Sequence, residues 1–175
     1  MTNWDRLGGS TYIGVMTRHE IDVLDSYVVG LLGLLSHRAE SYLPVGGTRA
    51  RMPAAPTKDD RIKAILVAEL GADEPDWFLA LNEECVLREV AEALQLMAST
   101  LPASGGVVML RVGAEPAAWL RCIRHVLAII AAVVDHNGEV RDQASEPTVI
   151  WLNALADGLT TASAHVALEI REHGR

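Results

Sequence analysis

AEPAAWLRCIRHVLAIIAAVVDH, residues 114–136, is the stretch on which the fold turns. Trp119, Ile123, Val126, Leu127, Ile130 and Val134 recur at three- and four-residue spacing, the stripe of an α-helix. Ile129 and Val133 lie on an adjacent side, so the segment is apolar on more than one face. Such a helix belongs in the middle of a bundle. Its longest purely apolar run, Val126–Val134, falls well short of the roughly 20 residues a bilayer requires. We therefore read it as the buried central helix of a cytoplasmic protein.

Working outward, Val107–Val112 precedes it as a short strand behind Pro102 and Gly105-Gly106. Upstream lies a long helix over Trp77–Leu101, with Val86, Val90, Leu94 and Met97 along one side. A shorter helix carries Ile62, Ile65, Leu66 and Leu70, with Thr57 as its expected cap and Gly71 as its stop. Tyr42–Pro56 is broken by Pro44, Gly46, Gly47, Pro53 and Pro56 and reads as a mobile loop. Before it, Ile21, Leu24, Val28, Leu31, Leu32 and Leu35 mark a first helix over about Arg18–Ser41. Thr17 and Glu20 form a capping-box pattern at its start, which also accounts for the His19-Glu20 pair. Thr11–Met16 is a strand candidate that pairs with Val107–Val112. Downstream, Asn137-Gly138 is a turn, and Ser145 with Pro147 opens a last helix holding Leu152, Leu155, Leu159, Val166 and Ile170. The expectation is a mainly α fold: one domain over 1–175, about five helices, and a small two-stranded β-ribbon.

Composition agrees. Half of the 175 residues are hydrophobic and only 5% are aromatic, so Leu, Val, Ile and Ala must fill the core. That favours helix-on-helix packing over a β-sandwich. The net charge of -8 repels polyanions over most of the surface. Direct nucleic-acid binding is therefore not expected outside a local patch. Two cysteines are too few for a secreted disulfide scaffold, and Met1–Gly9 shows no apolar signal region.

Residues able to carry chemistry are few. No G-x-S-x-G, P-loop or G-x-G-x-x-G pattern occurs, and no catalytic, cofactor-binding or metal-ligating set assembles from the spacing. Cys85 and Cys122 read as two small hydrophobes or as a thiol pair able to oxidise, provided the chain brings their Cα atoms within about 7 Å. His165, Glu169 and His173 share one helix face, as ligands would, but equally as a solvated face. Arg49, Arg51, Arg61 and Lys63 lie in the one basic concentration and are candidate partner contacts, or else part of a loop and a solvated helix face. Ser26, Gly30 and Gly33 would let another helix approach the first one closely, within the molecule or across a homodimer.

The order of these segments resembles one family. Trp4-Asp5-Arg6, then the first strand, His19-Glu20 and Leu31–Leu35 carry the resemblance. Thr100-Leu101-Pro102 with Gly105-Gly106, Ala118-Trp119-Leu120 and Trp151-Leu152 extend it along nearly the whole chain. The family is that of actinobacterial oxidative-stress transcriptional regulators (AosR-like), long catalogued as a domain of unknown function. The run Arg124, His125, Val126, Leu127, Ala128 departs from its pattern. The resemblance implies a non-enzymatic regulator acting through a protein partner such as a sigma factor or polymerase component. It also implies a redox thiol switch on closely spaced cysteines, whereas Cys85 and Cys122 are far apart in sequence. The rival reading is a helical bundle binding a metal or small ligand, with or without catalysis.

Overall fold

The computed structural model describes residues 4–7, 10–44, 51–53, 55–136 and 145–173. Five helices lie within them: α1 (Arg18–Ala39), α2 (Asp60–Leu70), α3 (Asp76–Thr100), α4 (Ala114–His136) and α5 (Ser145–His173). Five short strands accompany them: β1 (Trp4–Leu7), β2 (Thr11–Met16), β3 (Tyr42–Pro44), β4 (Arg51–Pro53) and β5 (Gly106–Arg111). The mainly α reading holds, and α4 packs against α2, α3, α5 and β5. By length and composition alone, Ala114–Val133 of α4 would also suffice to cross a membrane.

The expected two-stranded ribbon is a three-stranded antiparallel sheet in the order β1-β2-β5. Tyr12 stands opposite Leu110, and Asp5 opposite Ile13 opposite Met109. Side chains paired across strands share a face. Trp4, Tyr12, Met16, Val108 and Leu110 are thereby turned inward and buried. Their core includes Trp119, whose indole N–H donates to Thr100 Oγ1 at 2.8 Å and whose ring meets Trp4 edge-on at 5.7 Å.

The join between sheet and first helix is tight. Thr17 Oγ1 accepts from Glu20 N at 3.2 Å, and Glu20 Oε2 accepts from Thr17 N at 2.7 Å, completing the capping box. Gly105 sits beside it at φ +71°; a Cβ there would lie 2.7 Å from Arg18 N, so only glycine fits. Gly30 and Gly33 have no neighbour within 4 Å of such a Cβ. No helix of the described chain therefore uses them for close approach.

Two local expectations change. The segment 42–56 holds β3 and β4, which pair with Tyr42 opposite Pro53. Helix α2 is capped by Asp59, which accepts from Arg61 N at 3.0 Å, and not by Thr57. Thr57 Oγ1 takes Asp59 N instead. A carboxylate adjoining the helix is both nearer to its free amides and more strongly attracted to them. Gly71 ends the helix as read, at φ +118°.

Candidate interaction surface

Among the described residues, the buried charged or polar side chains Glu83 and His125 lie at two helix junctions that arginines join. On α3, Leu79, Val86 and Val90 form a buried stripe, and Glu83 falls on it with no exposure at all. A carboxylate placed there needs a cation and hydrogen bonds. Arg38 of α1 donates to both its oxygens, through Nε to Oε1 and through NH2 to Oε2 at 3.1 Å. The Tyr42 hydroxyl donates to Oε1 at 3.1 Å. Arg38 also donates to the carbonyl of Ala55 at 2.8 Å. One carboxylate thus ties α1, α3 and the β3–β4 segment together. Burial, and then the neighbouring Glu83 charge, push the Tyr42 phenol well above its ordinary range.

The second junction joins α2 to α4. Glu69 accepts from Arg121 Nε and NH2, each at 3.0 Å, and from Arg124 NH2 at 2.7 Å. Arg121 reaches Glu89 of α3 as well, at 3.0 Å. Burial alone would raise the Glu69 carboxyl, but the two guanidiniums outweigh it and hold it below the usual carboxylate range. His125 lies beneath, fully buried. Its Nε2 is 3.0 Å from Glu69 Oε1 but not aligned for a hydrogen bond, and neither ring nitrogen has an aligned partner among the described residues. Burial pushes this imidazole down to about 4. Both clusters hold a carboxylate against arginine. That arrangement braces the helices against one another.

The sequence-derived candidates disperse. Cys122 on α4 is buried, and burial pushes its thiol up to about 12. Cys85 on α3 is exposed, 3.6 Å from Glu89 Oε1, and both cysteines are free. Arg49 lies outside the described residues, as does the side chain of Arg51 on β4. The side chains of His165, Glu169 and His173 on α5 also fall outside them. Among the described residues, no group of three or more His, Cys, Asp or Glu is placed to hold a metal ion. Arg61 is turned back onto Asp59, with NH2 to Oδ2 at 2.7 Å.

Lys63 leads to the feature that the sequence did not single out. Its ammonium lies 3.9 Å from Asp76, the first residue of α3. The next residue, Trp77, is 68% exposed, and Leu81, one turn on, is 58% exposed. A large indole in water beside an exposed leucine is an uncovered apolar site. Trp77 is held edge-on to Phe78 at 5.8 Å. A recess of about 80 Å³ opens alongside, lined by Pro56, Thr57, Lys63, Asp76, Leu79 and Ala80 together with Glu83. Other hollows lie among the described residues. A groove of about 270 Å³ between α1 and α3 includes Leu32, Leu35, Tyr42, Leu87, Arg88 and Gln95. A more open one of about 420 Å³ lies between α2 and α4.

The family model described as Domain of unknown function (DUF2017) matches residues 1–163, so the chain belongs to that family. No curated protein and no solved structure matches the chain.

Proposed function

We propose that this DUF2017 protein is a non-enzymatic regulator that works by binding another protein at the corner where α2 meets α3. The observation that carries this reading is Trp77, 68% exposed beside Leu81 and next to the Lys63–Asp76 pair. Tryptophan anchors dominate binding energy at protein interfaces, especially where a neighbouring recess receives a partner's side chain. The two arginine-saturated clusters support the non-enzymatic half of the reading. The AosR-like resemblance adds the setting: transcriptional or oxidative-stress control, with a sigma factor or polymerase component as partner. A thiol switch between Cys85 and Cys122 has little support, because one thiol is buried and far from its reactive form at neutral pH.

The test is affinity capture from the native cell with the intact protein and with Trp77→Ala, run in parallel. The expected result is a defined protein retained by the first and lost from the second. An identical set from both would refute the assignment. The α1–α3 groove favours a second reading, a small apolar ligand with a polar end placed near Arg88 and Gln95. A co-purifying small mass in native mass spectrometry, lost on Leu87→Trp, would favour that reading.

A further inference from the structure

The outer face of the three-stranded sheet carries a different proposal. Inward residues alternate with outward ones along each strand. The outward set is Asp5 and Leu7 on β1, Thr11, Ile13 and Val15 on β2, and Val107, Met109 and Arg111 on β5. Five of these eight are apolar. Leu7, Val15, Val107 and Met109 are each more than half exposed, and Ile13 is half-buried between them. Among the described residues, no helix covers this face. An antiparallel sheet that shows one face to water ordinarily makes that face polar.

Its charges are arranged to suit one occupant. In a chain of net charge -8, this face holds one acid and one base. Asp5 sits on the β1 edge and Arg111 on the opposite, β5 edge, with the apolar side chains between them. We propose that a second copy of this chain docks here, the two sheets stacking face to face about a two-fold axis parallel to the strands. That operation lays β2 over β2 and each β1 over the other copy's β5. Ile13 and Val15 meet their own counterparts at the axis. Asp5 of each copy comes over the strand that bears Arg111 of the other, one side-chain row away and within reach of the long guanidinium. The charge pattern is thus self-complementary, and nothing on the face repels its own image.

The area sets the strength. Three strands about 4.8 Å apart and roughly 20 Å long give a face of about 300 Å² in plan. A standard interface takes about 800 Å² from each partner. The dimer is therefore weak and governed by concentration.

Sedimentation velocity over about 5–500 µM tests it, using the intact chain. Wild type is expected to move from 18.9 kDa toward twice that mass across the range. Val15→Glu, which sets two carboxylates against each other at the axis, stays monomeric throughout. Asp5→Arg weakens the dimer about tenfold, and adding Arg111→Asp restores it. Trp77→Ala leaves the dimer unchanged, so this result and the partner reading at the α2–α3 corner fail separately. A wild type that remains monomeric at the highest concentration overturns the proposal. So does a dimer indifferent to Val15→Glu, or a charge swap that fails to restore it.

Discussion

Glu83 and Glu69 pose the same problem at two places and are answered differently. Each is a helical glutamate held by arginine across a helix junction. Glu83 is sealed, its side chain 1% exposed, with Arg38 as its cation and Tyr42 as its second donor. Glu69 is 15% exposed, with Arg121, Arg124 and His125 about it and water at its edge. A sealed carboxylate depends wholly on its partners, since it cannot turn to solvent. An open cluster shares the load and tolerates the loss of one member. The α1–α3–β3 junction is therefore brittle and the α2–α4 junction graded. At both, arginine engages the carboxylate.

Breaking the sealed pair should have the largest effect. Glu83→Ala leaves Arg38 partly buried without its counter-charge and costs about 3–5 kcal/mol, read as the shift in urea unfolding. The paired change Arg38→Met with Glu83→Leu recovers most of that loss, because an apolar pair of similar volume needs no compensation. If the double variant is no more stable than Glu83→Ala, the contrast between the two junctions is wrong.

The open cluster answers to pH. His125 takes up its proton near 4 when folded and near 6.5 when unfolded. Between those values only the unfolded chain binds the proton, so stability falls as pH drops from about 6.5 toward 4. The loss is roughly 3 kcal/mol. Glu69, held below its ordinary value, contributes stability that is present above about 4.5 and lost as pH falls further. Urea midpoints measured across pH 4–8 should carry this slope, and His125→Leu should flatten the part above pH 4.5. Removing one cation does less: Arg121→Ala costs about 1 kcal/mol, since Arg124 remains on Glu69 and the site is partly solvated. Smallest of all is Trp77→Ala, expected within about 0.5 kcal/mol of wild type, because the ring is mostly in water. A larger loss there would make Trp77 part of the core and remove it as a binding anchor.

Much of the helical frame was legible because periodicity is a strong signal over twenty residues. Thr17 and Glu20 announced the α1 start, and Gly71 the α2 stop. β1 was not legible: Trp-Asp-Arg-Leu has no alternation to read, and only its pairing with β2 makes it a strand. β3 and β4 were hidden by the prolines and glycines around them; Tyr42 is fixed there by Glu83, a residue 41 positions away. That bond could have been suspected. Glu83 stands three residues before Val86, on the line through Val90 and Leu94, and a charge on a buried stripe demands a partner. His125, one turn after Cys122's neighbour Arg121, gives the same signal on α4. Trp77 was read as a helix start, and composition alone does not tell a buried indole from an exposed one.

The central claim is that the α2–α3 corner meets another protein, and cross-linking in the native cell tests it most directly. A photo-reactive residue is placed at Leu81 in one variant and at Ile150, an equally exposed apolar position on α5, in another. A discrete heterotypic adduct is expected from position 81, lost when Trp77→Ala is added, and none from position 150. No adduct from 81, or the same adduct from both positions, would contradict it.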